Sequence, residues 1–270
     1  MTADATSVVV PLVTPVNSAG EVSTACLSAL ISTLAGRVDG YITGLSTGEG
    51  WKLTESQWVA LTESAVAHAG RVPVYAGILR PTTDEVCRLA RLAPGLGVNG
   101  VVVTQPFGID VDAHDAIRHF ASIYEDCELP IILYHEDALA KTLLDSDVLA
   151  EIIQRADIAA IKDSSGCGGA DPWRRLPPIR RLQGNETLLH TDPADGAIVG
   201  LANLEPALIR QTIASKPQAA ERIATAVARY QLQAPNWYQH LKEELHRRGV
   251  ITSADSLATS PSPDPRVSNI

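Results

Sequence analysis

Short runs of β-branched and aliphatic residues recur along the chain at fairly even intervals, and segments of helical period lie between most of them. The runs are Val8 to Val13, Gly40 to Thr43, Val72 to Ile78, Gly100 to Thr104, Pro130 to Tyr134, Ile158 to Ile161, Thr187 to His190 and Ala197 to Leu201, which predicts eight strands. Thr54-Glu55-Ser56-Gln57 has the pattern of a capping box, after which Trp58, Leu61, Ala65 and Ala69 fall on one helical face. Thr82 to Glu85 repeats that start ahead of Val86, Leu89 and Leu92. Asp112 and Asp145 are N-cap candidates for two more helices, one carrying Ile117 and Phe120, the other Val148, Ile152 and Ile153.

Strands that are apolar throughout, joined by helices, belong to a parallel sheet covered on its outer face. Eight such units in about 250 residues predict an α/β fold, a (β/α)8 TIM barrel. A doubly wound open sheet is the alternative. After Leu201 the text turns helical from about Glu205 to Gly249, with Ala219, Ile223, Ala226 and Tyr230 at helical spacing. The expected organisation is a barrel over 1–204, a C-terminal helical extension over 205–250 and a disordered Ser-, Pro- and Asp-rich tail over 251–270.

The chain has 270 residues, 45% hydrophobic and 20% charged, enough for a sizeable core. Its 22 basic and 31 acidic side chains give a net charge of −9 without a Lys/Arg stripe, so nucleic acid is not an expected partner. The four cysteines, Cys26, Cys87, Cys127 and Cys167, have no C-x-x-C spacing, and reduced thiols in the cytoplasm are expected. Neither a signal peptide nor an apolar run of roughly 20 residues is found, so no membrane role is expected and Asn185-Glu186-Thr187 reads as an accidental sequon.

In a barrel, catalytic groups sit where strands end and the following loops begin. The predicted strand ends offer Thr14 and Pro15; Ser46, Thr47 and Glu49; Gln105; Tyr134, His135 and Glu136; Lys162 and Asp163; and His190. Lys162 closes the run Ile158-Ala159-Ala160-Ile161. A lysine buried there loses its proton easily, because desolvation disfavours the ammonium, and the neutral amine can attack a carbonyl to form a Schiff base. Position alone equally allows a lysine that reaches water or pairs with Asp163. Tyr134 ends the neighbouring strand, where a phenol could relay protons or merely fill the barrel rim. In Gly44-Leu45-Ser46-Thr47-Gly48-Glu49-Gly50, small hydroxylic residues among glycines let amides and hydroxyls approach an anion, a carboxylate above all, while Glu49 could simply hold the loop in shape.

Other patterns are set aside. Gly95-x-Gly97-x-x-Gly100 precedes a strand instead of following one, so it is a turn and not a dinucleotide fingerprint. Consecutive His135, Glu136 and Asp137 cannot all face one ion from a strand, and no metal site is expected. His114 and His119 are expected in solvent on an outer helix, and His190 in rim or core packing.

These residues resemble the dihydrodipicolinate synthase and N-acetylneuraminate lyase family of Schiff-base aldolases. The likeness runs from about Val8 to Pro206 through V-V-V-P-L-V-T-P, G-L-S-T-G-E-G-W-K-L-T, P-I-I-L-Y, I-A-A-I-K-D-S-S-G and G-A-I-V-G-L-A-N-L-E-P. It implies a TIM barrel in a homo-oligomer, dimer or tetramer, with Lys162 forming an imine with pyruvate or another 2-oxo acid and no metal or organic cofactor. It also implies that Ser46 and Thr47 hold the substrate carboxylate, that Tyr134 moves protons, and that Gly48, Gln105, Phe107, Glu136 and Ile198 lie around the substrate.

The synthases usually have an arginine after the tyrosine, whereas this chain reads Tyr134-His135-Glu136-Asp137-Ala138-Leu139. Their second tyrosine is replaced by Gln105-Pro106-Phe107-Gly108. Ser46-Thr47 is closer to the lyase and sugar-acid aldolase branches, and Y-H-E-D resembles the Y-N-R-D of keto-deoxyglucarate dehydratases. The expected activity is a class I aldolase or lyase joining or parting a 2-oxo acid and an aldehyde. Glu136 would favour a neutral or amine-bearing aldehyde over a dianion. The alternatives are a dihydrodipicolinate synthase using aspartate semialdehyde, a dehydratase or decarboxylase using the same imine, and a non-catalytic 2-oxo-acid binding protein.

Overall fold

The computed structural model of the protein describes residues 7–17, 19–108, 111–137, 140–141, 143–166, 173–192, 194–215 and 219–257. Eight strands, β1 (Ser7–Pro11), β2 (Gly40–Thr43), β3 (Val74–Ile78), β4 (Val101–Thr104), β5 (Ile131–His135), β6 (Ile158–Asp163), β7 (Arg180–Gln183) and β8 (Gly196–Ile198), pair in chain order into a closed barrel. Every pairing is parallel, β8 to β1 included. The fold is the (β/α)8 barrel expected from the apolar runs.

Helices α1 (Thr24–Leu34), α2 (Glu55–His68), α3 (Thr83–Ala90), α4 (Ala113–Cys127) and α5 (Ser146–Arg155) follow β1 to β5 in turn. Their starts are set by the predicted caps. Thr54 accepts from the Gln57 amide at 3.2 Å while Gln57 Oε1 accepts from the Thr54 amide at 2.9 Å. Thr82, Asp112 and Asp145 accept from the amides of Glu85, Asp115 and Val148. After β6 and β7 the described residues hold only the short 3-10 turns Trp173–Arg175 and Glu186–Leu188. The chain ends in α6 (Pro206–Ser215), α7 (Ala220–Arg229) and α8 (Trp237–Arg247).

Strand alternation separates two apolar layers. Val9, Ile42, Val102, Ile132, Tyr134, Ala160, Leu182 and Ile198 fill the barrel interior. Val8, Val10, Tyr41, Ile78, Val103, Leu133 and Ile161 face outward into the layer shared with the helices, which continues to Ile209, Ile223, Leu241 and Leu245 of α6 to α8. No helix among the described residues is long and apolar enough to cross a membrane.

Three expectations are corrected. The seventh strand is Arg180–Gln183 and not Thr187–His190, where the chain instead passes through the 3-10 turn Glu186–Leu188 and the residues just after it. Arg-Arg-Leu-Gln does not look like a buried strand, yet Arg181 is only 7% exposed because Asp163 and Asp192 take up its charge. His119 is not solvated. It is 2% exposed, bonded to Thr83 Oγ1 at 2.9 Å and to the Thr104 carbonyl at 3.1 Å, and its burial pushes its pKa down to about 4. His114 is exposed as expected.

The expected tail is not loose over 251–257, where Ile251 and Leu257 are each 3% exposed in the outer core layer. Residues 258–270 lie outside the described residues, as do Ala138, Leu139 and Cys167. Cys26, Cys87 and Cys127 are free and buried.

Candidate active site

The register of β5 against β6 decides where Lys162 points. Ile131 pairs with Ile158, but Ile132 pairs with Ala160, so Ala159 is an extra residue and the pairing shifts by one. A one-residue shift exchanges the two faces of a strand. Beyond it Tyr134 pairs with Lys162, and both side chains enter the barrel.

Lys162 is 3% exposed, and its Nζ lies over the Tyr134 ring, 3.7 Å from the centroid. Burial lowers its pKa to about 7, against the opposing pull of the Glu136 and Glu186 carboxylates. Tyr134 is 7% exposed, and its hydroxyl is 3.5 Å from Ser46 Oγ. Burial, reinforced by Glu136, pushes the phenol well above its ordinary range, so it is a neutral hydroxyl able to give and recover a proton.

A cavity of ≈ 380 Å³ opens above this pair. Its floor is Ser46, Thr47, Tyr134, Lys162, Ser164 and Ile198. One wall is Gly184, Asn185, Glu186 and Gly200 from the ends of β7 and β8; the other is Leu232, Gln233 and Trp237 from the α7–α8 connection and the start of α8. Gly184 has to lack a side chain: a Cβ there would lie 1.9 Å from Ser164 Oγ and 3.1 Å from Lys162 Cε.

Ser46, Thr47, Tyr134, Lys162 and Ile198 are thus brought together as predicted. Gly48 lies behind the turn, its carbonyl accepting from Thr14 Oγ1 at 2.6 Å. Gln105, fully buried, donates from Nε2 to the Glu136 carbonyl at 2.7 Å, and Phe107 packs in the barrel interior. Glu136 is 2% exposed, accepts from the Ala140 amide at 3.2 Å, and acts on Lys162 and Tyr134 through its charge and not from the cavity wall. Four of the predicted surrounding residues, Gly48, Gln105, Phe107 and Glu136, therefore lie behind the cavity lining. His135 and Asp163 point away from the cavity, toward Trp173 and Arg181. His190 does not line it.

Glu186 was missed by sequence reasoning. It is partly buried, its Oε1 accepts from the Leu201 amide at 3.1 Å, and burial pushes its carboxyl up. Gly184-Asn185-Glu186 is the loop that opens after β7, so the signal that could have found it was the correct seventh strand.

A buried, readily deprotonated amine beside a phenol, at the strand ends of a parallel barrel, has the arrangement of an imine-forming site. The sequence matches the dihydrodipicolinate synthetase family over residues 4–182, and the chain belongs to that family. It is 35% identical over 130 residues to a 4-hydroxy-tetrahydrodipicolinate synthase of Methanosphaerula palustris, covering 48% of this chain and 44% of that protein. It is 27% identical over 216 residues to the synthase of Acidithiobacillus ferrooxidans, covering 79% and 72%. In the first of these matches the chain spans about half of the relative's length.

Two solved structures share the fold. YagE of E. coli K12, a family member solved in complex with pyruvate, superposes with a TM-score of 0.84 at 24% identity, over 96% of this chain and 94% of that one. The sialic acid aldolase of Ruminococcus gnavus does so with 0.82 at 20%, over 95% and 90%.

Proposed function

We propose that this protein is a class I lyase that joins or parts pyruvate, or another 2-oxo acid, and an aldehyde through an imine on Lys162. The observation that carries the reading is the 3%-exposed amine, with a pKa of about 7, seated on the Tyr134 ring. An ordinary lysine is almost wholly protonated at neutral pH and cannot attack; this one is about half free amine.

In the proposed sequence Ser46 and Thr47 receive the substrate carboxylate at the cavity floor. The lone pair of Lys162 Nζ attacks the keto carbon, and the carbonyl oxygen takes a proton from Tyr134. Nitrogen gives up a proton, a second protonation expels the oxygen as water, and the iminium remains. Its electron demand releases a proton from C3, giving the enamine. The enamine carbon attacks the aldehyde carbon, whose oxygen is protonated. Hydrolysis then returns the free lysine; cleavage is the reverse.

Among the described residues, the charged groups lining the cavity are Lys162 and Glu186. With Lys162 committed to the imine, Glu186 would repel a second carboxylate, so the aldehyde partner is neutral, hydroxylated or amine-bearing. This favours an aldolase over a synthase acting on aspartate semialdehyde. The enzyme works in the cytoplasm as a homo-oligomer, in keeping with the family likeness.

The test is incubation with pyruvate and borohydride, followed by intact mass and peptide mapping. The expected result is one reduced pyruvate adduct on Lys162, missing in Lys162→Ala. Failure of folded protein to form an adduct with pyruvate or longer 2-oxo acids would overturn the reading and favour a binding protein.

A further inference from the structure

The turn that carries Ser46 and Thr47 ends in a charge cluster that the imine chemistry does not use. Glu49 is fully buried, with φ of 54°. A non-glycine residue in this left-handed region is strained by about 1–3 kcal/mol and persists only where its surroundings hold it. Here they do so through the carboxylate. Oε1 accepts from Lys242 Nζ at 2.9 Å, and Oε2 accepts from Lys52 Nζ at 3.0 Å and from the Leu257 amide at 3.1 Å. Lys242 is itself fully buried, in the middle of α8.

The Glu49 amide donates to the Ser46 carbonyl at 3.0 Å, and the Gly48 amide to Leu45 at 2.9 Å, so the backbone of Glu49 closes the Ser46–Gly48 turn. The clamp therefore fixes the same backbone that aims Ser46 and Thr47 into the cavity. Its partners are 193 and 208 residues away in sequence. Two further contacts bind α8 to the segment after the turn: Tyr238 packs edge-on against Trp51 at 5.7 Å, and Lys52 Nζ lies 5.5 Å from the Tyr238 ring centroid.

A fully buried ion pair is a poor stabiliser, since apolar residues of the same volume often do as well or better. Placing one between a strained turn and a remote helix makes sense if the turn must be held in a single geometry. We infer that Glu49, through Lys242 and Leu257, is a positioning residue for the 2-oxo-acid carboxylate, which makes the C-terminal segment 237–257 part of the working active site. This rests on the reading of Ser46 and Thr47 as the carboxylate site.

The test compares the native protein with the double variant Glu49→Gln/Lys242→Met, which removes the fully buried pair at nearly constant volume and leaves only Lys52, 13% exposed at the edge of the cluster, without its carboxylate. Two quantities are read: the pyruvate concentration that half-saturates borohydride trapping, and hydrogen exchange at the Gly48 and Glu49 amides. The inference expects half-saturation to rise about 10- to 100-fold, the cost of a misplaced binding group. It also expects faster exchange in the turn, with the pH midpoint of trapping unchanged because Lys162 is untouched. Faster exchange without a change in half-saturation would leave the clamp purely structural and overturn the inference, as would no change in either.

If the double variant does not fold, the pair Leu257→Pro and Leu257→Ala decides instead, since both lose the side chain and only proline loses the amide that bonds Glu49. Half-saturation raised in Leu257→Pro alone supports the clamp, and equal values overturn it. Native protein that pyruvate cannot trap would refute the proposed function, and the inference with it. A native protein that is trapped, beside a variant with unmoved half-saturation, refutes the clamp alone.

Discussion

Replacing Lys162 by methionine should make the protein more stable, by an amount that depends on pH in a defined way. The amine's pKa is about 7 in the fold against 10.5 in an ordinary lysine. Between these values the unfolded chain binds more protons than the native one, so native stability rises with pH across the window. Below about pH 7 the cost of burying the ammonium is complete, and it fades as pH approaches 10.5. At 1.36 kcal/mol per pKa unit, the cost is about 4 kcal/mol at pH 7 and about 2 kcal/mol at pH 9. Methionine has nearly the same length and volume and no charge to desolvate, so Lys162→Met should gain about these amounts while losing imine formation. Urea unfolding of both proteins from pH 6 to pH 9 measures it. A stability difference that stays constant over that range, or a variant less stable than the native protein at pH 7, would refute the reasoning.

Three more outcomes are expected. Tyr134→Phe keeps the ring beneath Lys162 and removes the hydroxyl, so it should lower the turnover of pyruvate by about 10²- to 10⁴-fold with little change in melting temperature; turnover within a factor of a few of native would remove Tyr134 from the proton path. Gly184→Ala puts a methyl group into Ser164 and against Lys162, so trapping by borohydride should fall steeply in a protein that circular dichroism finds folded, and native trapping rates would contradict the tight approach. Arg181→Met leaves Asp163 and Asp192 buried without their guanidinium, which should cost about 3–5 kcal/mol in denaturant unfolding at neutral pH. A loss below about 1 kcal/mol would mean that the network matters little.

The barrel was legible because seven of its strands fall on the predicted apolar runs and the helices between them begin at recognisable caps. The seventh strand was not, because Arg180-Arg181-Leu182-Gln183 is a buried strand only in the company of Asp163 and Asp192, which come from elsewhere in the chain. That one misplacement also hid Glu186. Lys162, Tyr134, Ser46 and Thr47 were found as strand-end chemistry, but the shift at Ala159 that turns Lys162 inward leaves no mark in an all-apolar run. Gln105, Glu136 and Phe107 were placed around the substrate by the family resemblance, and sequence does not tell which side of a loop faces the cavity. Lys242 reads as a surface residue among Glu243, Glu244, Arg247 and Arg248; its burial depends on Glu49, nearly two hundred positions earlier.

The central claim is that the Lys162 amine is dry and half deprotonated at neutral pH. NMR of protein carrying 13Cε-labelled lysine, with the Lys162 resonance assigned by its disappearance in Lys162→Met, follows that amine directly through a pH titration. A midpoint near 7 is the predicted result; a midpoint near 10.5, the value of a lysine in water, would contradict the account.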